Sequence, residues 1–221
     1  MKRRIATPLL LVLAACYEDD PTRSDDIATA DIRAYVQLDG DGTSTRLAID
    51  VNGPGGPVDF VGGDVLLAGV RGSALRAIPR VGDTHEQTFP VGIDAIAVEL
   101  RRSDPYVNAS FEVEALPRAA LVAPQTASRS EPLRIEWQPG PGTYTSTISV
   151  EGDCFQAIQR SSPVDPGFFT VQPTDWTEAF GACPVTVTLT RSQSKEVPAN
   201  GWSRVDARLT QTMSVTLEVT P

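Results

Sequence analysis

The chain has 221 residues, with 19 Lys and Arg against 28 Asp and Glu, a net charge of −9, one histidine and three cysteines. That acidic balance repels phosphate backbones and excludes nucleic acid as a natural partner. With a single histidine, any Ser-His-Asp, Cys-His or multi-histidine metal arrangement would have to use His85.

The first segment, "MKRRIATPLLLVLAAC", has Lys2, Arg3 and Arg4 followed by an uncharged, mostly apolar run from Ile5 to Ala15. A charged start, a short apolar run and small residues are the layout of a secretory signal. The run is well below the roughly 20 residues that span a bilayer, and no later window approaches that length. Leu13-Ala14-Ala15-Cys16 resembles the lipobox of bacterial lipoproteins. The resemblance implies cleavage before Cys16, a diacylglyceryl group on its sulfur, fatty acylation such as palmitate on its new amine, and anchorage in a membrane. Tyr17, in place of the Asp that favours inner-membrane retention in enteric-type bacteria, points to the outer membrane. An ordinary signal peptide cut beside a cysteine is the alternative. Cleavage would remove three basic residues and leave the mature chain more acidic still. Residues 16–29 then read as a lipidated Cys and a solvated tether, since "YEDDPTRSDDIA" has five acids against one arginine.

From about residue 30 to 117, short segments alternate with period two: "DIRAYVQL", "TRLAIDV", "DVLLAGV", "ALRAIP", "HEQTFPV", "IDAIAVEL" and "NASFEVEAL". Gly, Pro, Asp and Asn punctuate them, and no segment has the i, i+3, i+4, i+7 spacing of an amphipathic helix. Seven short strands in this span resemble an immunoglobulin-like β-sandwich. A second unit is expected over 118–221. In "LRIEWQP" Leu133, Ile135 and Trp137 share a face before two prolines, which resembles strand B of fibronectin type III domains. "YTSTISVEGDC", "CPVTVTL" and "SRVDARLTQTMSVTLEVT" continue the strand pattern, with Gln211 interrupting the last apolar stripe and suggesting a bulge. "PTDWTEAF" reads as one helical turn. The expected fold is therefore all-β, two consecutive immunoglobulin-like sandwiches behind a cleaved lipoprotein signal peptide.

With Cys16 lipidated outside the cytoplasm, Cys154 and Cys183 remain as a disulfide pair, with two free thiols as the alternative. His85 in "GDTHEQTF" reads as a solvated residue. Asp39, Asp41 and Asp50 in "LDGDGTSTRLAID" offer oxygens to calcium, but Asp-Gly between two alternating runs is also a hairpin signal, and the spacing lacks the later acids of a calcium loop. Asp59 and Asp64 read as turn residues. Trp202 in "EVPANGWSRV" has two readings, an exposed anchor for a glycan or protein, and a lid on the end of the sandwich. No Gly-rich phosphate loop or GxSxG elbow is present, so no cofactor and no catalytic residue is assigned. The sequence thus points to a non-catalytic structural, display or protein-binding module on the cell envelope. A carbohydrate-binding module using exposed aromatics is the alternative, and a hydrolase is the remaining class.

Overall fold

The structure, a computed structural model, describes residues 21–140 and 142–221. Cys16 and the signal segment lie outside the described residues. Twelve principal strands carry the architecture: β1 (Arg33–Gly40), β2 (Ser44–Gly53), β3 (Val65–Val70), β4 (Thr84–Pro90), β5 (Ala95–Arg101), β6 (Ala109–Glu114), β7 (Leu133–Trp137), β8 (Thr145–Gly152), β9 (Ile158–Ser162), β10 (Phe168–Val171), β11 (Cys183–Glu196) and β12 (Arg204–Thr220). Most of these segments form strands because alternate side chains are apolar and turn inward, as Ala34, Val36 and Leu38 do in β1. Asp41 and Gly42 close the β1–β2 hairpin: Gly42 supplies a φ of 84°, and the Asp41 carboxylate accepts the backbone N–H groups of Thr43 and Ser44 at 2.8 and 2.7 Å.

The described residues form three sheets. The largest runs Thr22–Arg23, Gly56–Asp59, β2, β1, β12, β11, β8, β9, with β4 joined to β2 and Thr126–Ser128 joined to β12. A second sheet has the order Ala199–Asn200, β6, β5, β3, Arg76–Ala77, and a third has Leu121–Val122, β7, β10. Two hydrophobic cores result. In the first, Val36, Leu38, Leu47 and Ile49 of the large sheet cluster with Leu66, Ile96, Val98, Leu100 and Phe111 of the second. In the other, Ile148, Val150, Val185, Val187 and Leu189 cluster with Leu133, Ile135, Trp137 and Val171 of the third. Each such large aliphatic taken out of water stabilises the fold by about 1.5–3 kcal/mol.

The two cores share the β11–β12 ribbon. Its antiparallel register is unbroken from Cys183 opposite Val219 to Glu196 opposite Asp206, so the bulge expected at Gln211 does not occur. Leu217 and Val219 belong to the second core, whereas Val205, Ala207 and Leu209 belong to the first. The first half of β12 lies parallel to β1, from Arg204 beside Arg33 to Gln211 beside Gly40. Residues 197–209, read from the sequence as part of the unit 118–221, therefore pack with residues 30–117. A period-two stripe fixes which face of a strand is buried, not which sheet covers it.

Residues 22–29 depart from the solvated tether. Ser24 and Thr29 are buried, and Thr22–Arg23 pairs with Gly56–Asp59. The cause is Arg102, whose guanidinium forms a buried ion pair with Asp64 at 2.9 Å and donates to the carbonyls of Ser24 and Ile27 and to Thr29 Oγ1. A buried guanidinium must have its donors met, and this segment supplies the acceptors.

Candidate functional site

Inward positions of β11 run Cys183, Val185, Val187, Leu189 and then Arg191. The alternation that buries the aliphatic residues also carries Arg191 inside, at the waist where the ribbon passes from one core to the other. Its guanidinium lies 2.7 Å from Asp165, with the two side chains 1% and 2% exposed. It also donates to the carbonyls of Gln138 and Pro117. Asp165 is held in turn by Trp137 Nε1 and by the backbone N–H of Gly140 at 2.9 Å. Gln211 stands opposite Arg191 across the ribbon and is itself buried.

Beside this waist opens a cleft of about 540 Å³. Leu38, Ile93, Leu116 and Pro117 give it apolar walls, Tyr144 and Gln211 line it, and Arg71, Asp94, Glu114 and Arg118 bring both signs of charge. Burial raises the Tyr144 phenol above its usual range. Arg71 is paired with Glu112 and lies 3.9 Å from Glu114. Apolar walls with charges of both signs suit an amphipathic group.

The structure joins Cys154 and Cys183, with a Cα separation of 5.9 Å inside the range a disulfide needs. The bridge lies in the second core, where Phe155 and Trp176 meet edge to face at 4.9 Å. It closes a segment that the sequence pattern left irregular but that contains β9 and β10. The helical turn expected in "PTDWTEAF" is a 3₁₀ turn at Pro173–Asp175, its start met by Asp175 accepting the Gln172 N–H at 2.8 Å.

Other sequence candidates fall elsewhere. Trp202 is only 7% exposed and packs edge to face on Phe111 at 5.6 Å, so it covers the first core and is not an exposed anchor. Gly201, at φ 82°, makes the turn that sends the ring inward. His85 is buried, contrary to the solvated reading, with its ring 5.0 Å from Phe60 and Nδ1 3.5 Å from the Ile78 carbonyl. Burial lowers its pKa, opposed by that carbonyl. Asp39, Asp41 and Asp50 do not converge. Asp50 pairs in register with Tyr35, four residues or roughly 13 Å along β1 from Asp39, and Asp41 is used in the hairpin turn. Gln37 and Thr84 hydrogen-bond Asp39 and Asp50 respectively. Among the described residues no group of three His, Cys, Asp or Glu side chains is placed to hold a metal ion. Asp59 and Asp64 are ion-pair partners of Arg80 and Arg102. The waist residues Arg191 and Asp165 escaped the sequence reading, although the parity of Arg191 with Val185 and Leu189 was a signal.

No family model matches the chain, and no curated protein matches it. Among solved structures it is similar to a chain from a cytokine receptor complex, at 10% identity over 83% of this chain and 94% of that one, with a TM-score of 0.32. It is also similar to the adhesin InvE of Yersinia pseudotuberculosis, at 10% identity over 86% of this chain and 59% of that one, with a TM-score of 0.24. Likenesses this distant carry no functional inference.

Proposed function

We propose that the chain is a lipid-anchored cell-envelope protein, held in the outer membrane through Cys16, and that it acts as a non-catalytic module for display or protein binding. In this reading the two cores are immunoglobulin-like sandwiches, centred on 30–117 and 118–221, that share the β11–β12 ribbon. The observation that supports the modular part of the reading is that ribbon, whose register runs unbroken from Cys183 opposite Val219 to Glu196 opposite Asp206 and which contributes residues to both cores. A rigid body behind a lipid anchor holds a binding surface at a fixed distance from a membrane. The waist cleft, with apolar walls and charges of both signs, is where a protein segment from a partner would dock. The non-catalytic role is part of the proposal; His85, whose ring lies 5.0 Å from Phe60, is not among the residues that line the cleft.

Mass spectrometry of the N-terminal peptide of the protein taken from the membrane fraction tests the anchor. The expected species begins at Cys16 and carries a diacylglyceryl group on sulfur. Recovery of unmodified Cys16, or of a chain still beginning at Met1, contradicts the proposal.

A further inference from the structure

The outward face of the large sheet changes character along the ribbon. Every second cross-strand pair from Thr186 opposite Thr216 to Ser192 opposite Thr210, four pairs in all, is hydroxyl against hydroxyl. Thr147 and Ser149 of β8 extend this array beside Thr190 and Thr188. Thr188 is hydrogen-bonded to Ser214, and Thr147 to Ser161, each at 2.9 Å. The four ribbon pairs carry no charged side chain, and their charged outward neighbours are Glu151, opposite Thr186, and Asp39, beside Thr210. At one border the array runs into a groove of about 680 Å³, which Thr145, Ser192 and Ser194 line together with Tyr35 and Arg208. The Tyr35 side chain is 42% exposed there.

We infer that this groove and the adjoining hydroxyl face bind a neutral glycan chain. Charge is the first argument: the hydroxyl pairs are themselves uncharged, Glu151 and Asp39 flank them with only Arg208 of opposite sign in the groove, and a chain of net −9 disfavours polyanions. Hydrogen bonding is the second. Each Ser or Thr hydroxyl has one donor and two acceptor sites, so one cross-strand bond leaves capacity for a ligand. An apolar partner would leave those hydroxyls unmet, at a cost of about 1–3 kcal/mol for each buried group, whereas a sugar brings both donors and acceptors. Third, Tyr35 presents an amphipathic ring on which the C–H face of a sugar can lie. The hydroxyls also repeat, at about 4.8 Å between strands and about 6.7 Å along them, which suits a polymer with a repeating unit. The hydroxyl pairs alternate with Arg191 along the ribbon and so face away from its side chain, Thr210 and Tyr144 mark where this surface borders the waist cleft, and the surface does not depend on the anchor.

Isothermal titration of the full chain with neutral hexasaccharides of α-linked glucose, β-linked glucose, N-acetylglucosamine and mannose tests the inference, with hexagalacturonate as the anionic control. At least one neutral hexasaccharide is expected to bind and to slow amide exchange within 186–194 and 212–216, stretches that do not line the waist cleft. Tyr35→Ala and Ser192→Asp are each expected to weaken that binding at least tenfold, and Tyr35→Phe to retain it. Absence of binding by all four neutral probes, binding by hexagalacturonate alone, protection confined to the waist cleft, or an unchanged affinity in Tyr35→Ala would overturn it. Should a variant not fold, the exchange map of the unaltered chain decides.

Discussion

Arg191 and Asp165 form an ion pair of 2.7 Å at the point where the two hydrophobic cores meet, and both are almost wholly removed from solvent. Removing one partner of such a pair leaves the other charged and buried, a cost of about 3–5 kcal/mol. Arg191→Ala is expected to lower stability by that amount in urea denaturation. Arg191→Lys should cost less, since it keeps the charge but cannot reach Asp165 and the Gln138 and Pro117 carbonyls with one planar group.

The Cys154–Cys183 bridge closes a segment of 29 residues. On the chain-entropy account such a loop stabilises the fold by roughly 3.5 kcal/mol. Cys154→Ala combined with Cys183→Ala should therefore lower the urea midpoint. β9 and β10, which lie between the two cysteines, should lose exchange protection before β8 and β11 do. Thiol titration of the native, unreduced protein should find neither cysteine free.

Trp202 is packed in the first core against Phe111. Trp202→Ala is expected to cost about 3–5 kcal/mol by leaving a cavity. Trp202→Phe should cost less and leave glycan titration unchanged. A stability equal to that of the unaltered chain in Trp202→Ala would show that the ring is not buried in solution.

His85 is expected to make stability depend on pH. Its folded pKa is lowered, chiefly by burial, with the Arg80 charge acting in the same direction and the Ile78 carbonyl and Asp50 opposing. The unfolded chain therefore binds the proton more readily. Its contribution is fully present above the unfolded value of about 6.5 and is lost as pH falls below it. The fall in melting temperature between pH 7.5 and pH 5.5 should be smaller in His85→Gln than in the unaltered chain. An equal fall in both would show that His85 does not titrate differently on folding.

Much of the strand pattern was legible because burial in a half-covered sheet follows period two. Val185, Val187 and Leu189 announced β11, and Cys154 and Cys183 were the pair left once Cys16 was read as the lipid-bearing residue. β9 and β10 were less legible: "IQRSS" has one buried apolar residue, Ile158, and "FFTV" does not alternate. The exchange of 197–209 to the first core was hidden because Val205 and Leu209 carry no mark of which sheet covers them. Arg102, Arg191 and Asp165 were missed because charged residues are ordinarily solvated, and only pairing across 38 residues for Arg102 and Asp64 makes their burial tolerable. The hydroxyl face was written in "TVTLTRSQS" and "TQTMSVT", where the polar half of the alternation is Thr and Ser instead of charge.

The central claim is that one ribbon makes the two cores a single body. Pulsed hydrogen exchange across a urea series tests it directly, because β5 reports the first core and β7 the second while neither belongs to the ribbon. Both strands are expected to lose protection at the same urea concentration, since unfolding either core frays the strands the other requires. Two separate midpoints, with one core protected after the other has opened, would contradict it.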